Sequence, residues 1–179
     1  MERTKISLIG GWAVSKRSAG CGAFAARGAV SCWRRSTGSP TLAHERIRPF
    51  NTRDTYPEQR LDNDLCQAVV TRGGRTVWLR GQCPQTLDDA VNLDSHDPVA
   101  QTHKVMQNIR QLIEEAGGSM EHLVKVVVYI TDVRHREAVY RTMGAYIQGV
   151  HPVSTGLVVS ALARPEWLVE IDATAVIPD

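Results

Sequence analysis

The chain has 179 residues, 42% of them hydrophobic, which suits a single domain with a buried core and an appendage. Its formal net charge of +2 is unevenly distributed, since residues 1–48 carry nine Lys and Arg against two acidic residues, whereas residues 49–179 carry twelve against seventeen. The charge of −5 on residues 49–179 argues against a nucleic-acid-binding domain, which needs clustered positive charge along one face.

Residues 1–48 are rich in Arg, Ser, Gly and Ala and predict a basic, disordered N-terminal extension that contributes nothing to the fold. No membrane anchor is expected, because Lys16, Arg17 and Arg27 interrupt every apolar run before it could span a bilayer. We therefore predict a cytoplasmic protein. An organelle transit peptide, which shares this Arg- and Ser-rich, acid-poor composition, is the weaker alternative.

The cysteines and histidines form no recognisable metal or redox motif. The four cysteines are Cys21, Cys32, Cys66 and Cys83. No pair has C-x-x-C spacing, so we expect four free thiols in a reducing compartment. His96 and His103 are seven residues apart, but no second pair or carboxylate motif accompanies them, and no metal or other cofactor is predicted.

The first regular elements of residues 49–179 are two strands and a helix. In "CQAVVTRGGRTVWLRGQ" two β-rich runs flank Gly73-Gly74, a pair that accepts positive φ, so the runs are predicted to form an antiparallel hairpin. "SHDPVAQTHKVMQNIRQLIEEAGGS" follows with Ser95 or Asp97 as cap, Pro98 in the first turn and Gly117-Gly118 at its end. Its apolar residues recur at intervals of three and four, which predicts an amphipathic helix.

The rest of the chain predicts a strand, a helix and two further strands. "HLVKVVVYITDV" is a nearly continuous apolar run, typical of a central strand, and "RHREAVYRTMGAYIQGV" is amphipathic with helical spacing. "TGLVVSAL" and "WLVEIDATAV" are β-rich and are separated by "ARPE", in which the Arg-Pro step favours a turn. The predicted order is β-β-α-β-α-β-β.

Two helices and one sheet predict a two-layer α+β sandwich with both helices on one face. Alternation in the last strand places Glu170 and Asp172 on the face away from the helices. Val127 and Tyr129 of the central strand lie on that same face by the same alternation. This uncovered face is therefore partly apolar, and we expect another subunit to cover it.

Three segments together resemble the RidA family, also called the YjgF/YER057c/UK114 family. They are "QAVV" with "GGRTVWLRGQ", the block "AQTHKVMQNIRQLIEEAGGSMEHLVKVVVYITD", and "HPVSTGLVVSALARPEWLVEIDATAV". The resemblance covers about residues 63–177 in order. It implies a chorismate-mutase-like fold, a homotrimer around a central barrel, and small-molecule sites in the clefts between subunits. It also implies cofactor-free hydrolysis of reactive enamines and imines to a carbonyl compound and ammonia.

The resemblance fails at three positions that line the family's site. Ser154 stands where founding members carry the arginine that binds the substrate carboxylate. The neutral hydroxyl of a serine does not replace the charged guanidinium of an arginine, which binds a carboxylate through two hydrogen bonds. Leu65 stands where those members have a tyrosine, and Arg80 where they have a small serine. One hypothesis is that the cation has moved to Arg80, next to Gly81; the alternative is that Arg80 pairs with an acidic residue across the subunit interface.

Other positions match the family's site. Glu170 matches the glutamate thought to position the attacking water, a role that a carboxylate in a partly dry cleft suits because its pKa can rise; an interfacial ion pair is the alternative. Gly81 and Gln82 match the cleft-lining turn, and Thr155 offers donors at the same cleft. Tyr140 falls near a position that contacts ligand, with core packing as the alternative.

We therefore expect a RidA-like enamine or imine deaminase whose catalytic residue is Glu170. The predicted substrate-binding residues are Arg80, Gly81, Gln82, Ser154, Thr155 and Tyr140. The alternative is a trimer that binds a small metabolite, such as a keto acid, without catalysis. A role in RNA or chaperone contacts would depend on the basic extension alone.

Overall fold

The computed structural model describes residues 44–179, and the elements within this range are bounded as follows. The strands are β1 His44–Asn51, β2 Asp64–Thr71, β3 Arg75–Gln82, β4 Leu123–Ile130, β5 Val153–Val158 and β6 Val169–Ile177. The helices are α1 Thr52–Thr55, α2 Pro98–Glu115 and α3 Arg136–Ile147, with single 3-10 turns at Pro57–Gln59, Met120–His122 and Val133–His135. None of these helices is long and apolar enough to cross a bilayer.

The main sheet has four strands in the order β3-β6-β4-β5. β6 is antiparallel to both β3 and β4, and β5 runs parallel to β4. α3 makes the crossover between β4 and β5, which a parallel pair requires. The order β-α-β-α-β-β from β3 onward therefore matches the sequence prediction, and so does the α+β class.

The predicted hairpin between β2 and β3 is wrong in its pairing. Gly73 and Gly74 do adopt the positive φ expected of them, at 63° and 78°. However, β2 pairs antiparallel with β1 in a separate two-stranded sheet. β2 lies next to the start of β5 and not alongside β3, since the Cys66 N–H of β2 donates a hydrogen bond to the Pro152 carbonyl at 3.2 Å.

Strand β1 was not predicted from the sequence. Its residues, "HERIRPFN", lack alternating apolar side chains, and the strand forms because β2 supplies an antiparallel partner from His44↔Thr71 to Asn51↔Asp64, with a break at Arg48. The predicted boundary between residues 48 and 49 falls inside this strand. Predictions for residues 1–43, including those for Cys21 and Cys32, lie outside the described residues.

Both long helices cover one face of the main sheet, as predicted. Asp97 caps α2 by accepting hydrogen bonds from the Val99 and Ala100 N–H groups, and Pro98 occupies the first turn. The core between helices and sheet is formed largely by buried aliphatic residues, among them Val105, Met106, Ile109, Ile113, Val126, Val128, Ile130, Val139, Met143, Ile147, Val169, Ile171, Ala173 and Ala175. Burying these side chains supplies most of the stabilisation that holds the two layers together.

The opposite face of the sheet, here called the open face, carries the alternate residues of the same strands. In β6, Glu170 and Asp172 are half-buried, whereas Val169 and Ile171 are fully buried against the helices, which confirms the predicted alternation. Trp78 is 78% exposed and Leu157 is 45% exposed on this face. Apolar side chains of this size are therefore left in water in the isolated chain.

Candidate functional site

A cavity of about 190 Å³ lies on the helix side of β5. Its lining is aromatic, aliphatic and polar, and Arg136 is the one charged residue in it. The lining residues are Phe50, Thr52, Tyr56, Gln59, Leu61, Leu65, Arg136, Tyr140, Ser154 and Gly156. We call it the helix-side cavity. Its volume is below the about 300–1,000 Å³ of pockets for drug-sized ligands, so its size suits a small metabolite.

Tyr140, Ser154 and Gly156 meet at the floor of this cavity. A Cβ added at Gly156 would overlap the Tyr140 hydroxyl, so the bare backbone of β5 makes room for the phenol. The buried Ser154 hydroxyl makes no hydrogen bond of normal geometry among the described residues, although it lies close enough to act on the Tyr140 phenol. Burial raises the pKa of Tyr140, opposed by Ser154 and by the Arg136 charge.

Arg136, the first residue of α3, supplies the positive charge of the cavity. Its guanidinium carbon lies 4.8 Å from the centroid of the Tyr140 ring, and its Nη2 donates a hydrogen bond to Gln59 Oε1 at 3.0 Å. None of the ion pairs found within residues 44–179 involves Arg136. A half-buried guanidinium with an amide and an aromatic ring as neighbours retains donors for an anion.

A cluster of acidic groups lies on the open face, where β3, β4 and β6 meet. Tyr129 donates its hydroxyl to Asp172 Oδ2 at 2.9 Å, and this hydrogen bond raises the pKa of the phenol. Glu170 lies on β6 two residues before Asp172 and on the same face, and a Cβ added at Gly81 would overlap its Oε1. We call Tyr129, Glu170 and Asp172 the open-face carboxylate cluster.

A β-bulge in β3 shapes this cluster. Leu79 pairs with Ala173 and Gln82 with Ile171, so Arg80 and Gly81 together oppose a single residue of β6. The extra residue brings the bare backbone of Gly81 against the Glu170 carboxylate. Next to the bulge, burial raises the pKa of the Cys83 thiol to about 12, reinforced by the charge and hydrogen bonding of Glu170. The thiol is therefore protonated at neutral pH.

The predicted site residues fall into separate places in the chain. Ser154 and Tyr140 share the helix-side cavity, whereas Glu170 and Gly81 meet on the open face. Thr155 pairs with Val127 and so lies on the open face by register. In a single chain the sheet separates these groups, and Glu170 is not among the residues that line the helix-side cavity.

Arg80 and Gln82 lie near a different cavity, of about 320 Å³, beside Leu112 of α2. Arg80 is exposed, and the Gln82 side-chain amide donates to the Arg80 carbonyl at 3.0 Å. The described residues contain no ion pair between Arg80 and either Glu170 or Asp172. Arg80 therefore lies outside the cavity that Ser154 lines.

Sequence reasoning missed Arg136. Its position relative to Ser154 depends on how α3 packs over β5, and nothing in the local pattern "DVRHREAVYR" distinguishes it from its neighbours Arg134 and Arg141. The one signal in the sequence was the four-residue spacing from Arg136 to Tyr140, which places their side chains side by side on α3. Tyr140 was itself a predicted ligand contact.

The chain is similar to several known proteins. A family model described as Endoribonuclease L-PSP matches residues 60–177. Protein DfrA from Myxococcus xanthus is 36% identical over 111 residues, which cover 62% of this chain and 82% of that protein. The structure of YyfB from Yersinia pestis, a Rid-family protein of unknown function, matches with a TM-score of 0.63 at 27% identity, covering 75% of this chain and 99% of that chain. RidA from an Antarctic Psychrobacter species matches with a TM-score of 0.53 at 27% identity, covering 60% of this chain and 85% of that chain.

Proposed function

Because the chain belongs to the Endoribonuclease L-PSP family, the group that includes the YjgF and Rid proteins, we propose that it hydrolyses a small reactive imine or enamine. The products would be a carbonyl compound and ammonia, and no cofactor would take part. The observation that carries the proposal is the Glu170 carboxylate, held against the bare backbone of Gly81 with no cation paired to it among the described residues.

Imine hydrolysis needs a group that first takes and then returns a proton. Water adds to the C=N carbon of the protonated imine as Glu170 accepts one of its protons, which forms a neutral tetrahedral carbinolamine. Glu170 then gives that proton to the nitrogen, the C–N bond breaks to release ammonia, and the hydroxyl oxygen becomes the carbonyl as Glu170 accepts the hydroxyl proton. Ammonia takes up that proton and departs as ammonium, and one water is consumed for each protonated imine.

The proposal makes the chain a homotrimer in which each site is shared by two subunits. One subunit would supply the helix-side cavity, and its neighbour would supply Glu170 from the open-face carboxylate cluster. The exposed Trp78 and Leu157 on that face support burial of the open face against another copy. Ser154 and Tyr140 would then bind the substrate from one side while Glu170 activates water from the other.

The family name, Endoribonuclease L-PSP, suggests a second activity, cleavage of RNA. The helix-side cavity contains one Arg and no Lys or His, and residues 49–179 have a net charge of −5. A polyanionic strand needs several cations along its path. These charges favour a small substrate over RNA.

The test is to generate 2-iminopropionate and 2-iminobutyrate in situ and to follow their disappearance with and without the protein. We expect acceleration by the wild-type chain and its loss in Glu170→Gln, which keeps the size of the side chain but cannot accept the proton. Equal rates with wild type, Glu170→Gln and no protein would reject hydrolysis of these imines and favour a trimer that binds a metabolite without catalysis.

A further inference from the structure

A cavity of about 420 Å³ lies between β2 and the open face of the main sheet. β2 starts beside β5 and ends at the Gly73-Gly74 turn into β3, so it lies over one end of the open face without pairing with β3. The space that a closed hairpin would have filled is therefore left between β2 and the sheet. We call it the ribbon-side cavity, after the ribbon formed by β1 and β2. It shares no lining residue with the helix-side cavity.

Two hydrogen bonds from β1 fix the ribbon over the sheet. His44 Nε2 donates to the Val176 carbonyl of β6 at 2.6 Å, and Arg46 Nη2 donates to the Leu123 carbonyl of β4 at 3.1 Å. The ribbon-side cavity therefore has fixed walls before any ligand binds, as small-molecule sites mostly do. Its volume also lies within the about 300–1,000 Å³ of such sites.

The lining of the ribbon-side cavity combines buried valines with one positive charge and one aromatic ring. Val124 and Val176 are buried, whereas Trp78 and Lys125 are exposed at the opening. None of the ion pairs found within residues 44–179 involves Lys125, and no acidic side chain of these residues lines this cavity. The Lys125 ammonium therefore has donors available for an anion.

We propose that the ribbon-side cavity binds a small aromatic carboxylate, with its ring against the Trp78 indole and its carboxylate at Lys125. Aromatic rings pack in offset or edge-to-face arrangements that contribute more than the burial of their area alone. A single ammonium matches the one charge of a carboxylate, whereas sites for phosphate esters combine several cations or backbone N–H groups. Asp172 lines the adjacent cavity of about 310 Å³, which Lys125 also lines, so repulsion between like charges keeps the ligand carboxylate on the ribbon side.

The alternative is that Trp78 and Lys125 serve only in contacts with another copy of the chain. In that case aromatic acids would bind neither better than their amides nor better than saturated acids. The discriminating measurement is calorimetric titration with three probes of similar size. They are 2-naphthoate, its neutral amide 2-naphthamide, and decahydro-2-naphthoate, which keeps the charge but has no aromatic ring.

We expect the wild-type chain to bind 2-naphthoate more tightly than either of the other two probes. Lys125→Gln should weaken 2-naphthoate about ten-fold and leave the affinity for 2-naphthamide within about two-fold, because it removes the charge alone. Trp78→Leu should weaken 2-naphthoate about three- to ten-fold and leave decahydro-2-naphthoate within about two-fold, because leucine keeps an apolar surface without the ring. Both side chains are exposed, so we expect both variants to fold, which circular dichroism checks.

Two control variants distinguish this cavity from other places where the probe could bind. Lys104→Gln, on α2 at the other side of the sheet, makes the same change of charge, and Arg136→Gln removes the charge of the helix-side cavity. Both should bind 2-naphthoate within about two-fold of wild type. Three results would overturn the proposal: no preference of the wild-type chain for 2-naphthoate over 2-naphthamide, an equal loss in Lys104→Gln and Lys125→Gln, or a loss confined to Arg136→Gln.

Discussion

The helix-side cavity and the open-face carboxylate cluster lie on opposite sides of one sheet and differ in charge. The cavity carries the Arg136 guanidinium with aromatic and hydroxyl neighbours, whereas the cluster carries the Glu170 and Asp172 carboxylates. The cavity contains no carboxylate and the cluster contains no paired cation among the described residues. Under the proposed function, each region supplies half of the groups that imine hydrolysis needs, and assembly of copies would join the halves.

The largest effect is expected from removing the carboxylate of Glu170, the proposed base. Glu170→Gln should lower the rate of imine hydrolysis by about a hundred-fold or more, the range seen when a general base is removed. Asp172→Asn is the matched control, since Asp172 is already engaged with Tyr129, and it should cost much less. A smaller loss in Glu170→Gln than in Asp172→Asn, measured as initial rates, would assign the base to Asp172 instead.

The sheet core between the two regions should dominate stability. Ile171 lies between Glu170 and Asp172 but points into the helix layer and is fully buried. Ile171→Ala should lower the free energy of unfolding by about 2–5 kcal/mol, because it removes buried methylene groups and leaves a cavity. Urea titration of Ile171→Ala and of Glu170→Gln compares their free energies of unfolding, and we expect the larger loss in Ile171→Ala. An equal loss in Glu170→Gln would contradict the expectation that the core dominates stability.

Two glycine substitutions test the two regions separately. Gly156→Ala should push Tyr140 out of position and lower the free energy of unfolding by about 1–3 kcal/mol, since the ring is buried and cannot shift freely. Gly81→Ala should cost less stability, because the Glu170 carboxylate it meets is the end of a flexible side chain. Thermal melts of both variants measure the two losses of stability, and hydrolysis rates are recorded on the same samples. Equal destabilisation would contradict the expectation that the Tyr140 ring is held more rigidly than the Glu170 side chain.

A cation added at Ser154 should have a smaller effect, on substrate binding. Ser154→Arg places a second guanidinium in the helix-side cavity, and we expect it to raise hydrolysis of simple 2-imino acids if the rest of the cavity is intact. The KM for 2-iminobutyrate, compared between wild type and a Ser154→Gln control, measures the gain. A folded Ser154→Arg variant that is inactive would mean that other differences, such as Leu65, limit the site.

The last effect is absent at neutral pH and concerns the cluster side of the sheet. The Cys83 thiol has its pKa raised from 9.0 to about 12 by burial and by Glu170. The unfolded chain ionises this thiol first, so the native state loses stability as pH rises from about 9 to about 12. Denaturation at successive pH values should show a smaller decrease in Cys83→Ala, and an identical decrease would contradict the assignment to Cys83.

The sequence predicted the main sheet better than it predicted the site. The helix-covered face and the outward direction of Glu170 follow from local patterns of 3.6 and 2 residues, and the structure confirms them. Of the two predicted caps of α2, Ser95 and Asp97, the structure has Asp97. β1 could not be predicted, because its polar residues form a strand only when β2 is beside them. Arg136 could not be identified either, because its contact with the cavity depends on the packing of α3 over β5.

Complementation between two impaired variants, one in each region, tests most directly whether each site is shared by two subunits. Glu170→Gln and Arg136→Gln chains would be unfolded together, refolded as mixed oligomers and assayed for imine hydrolysis, with Gly156→Ala as a second cavity variant. If sites are shared, random mixing gives about a quarter of them both intact halves, so activity returns to about a quarter of wild type. Activity no higher than that of the separate variants would contradict shared sites and place each site within one chain.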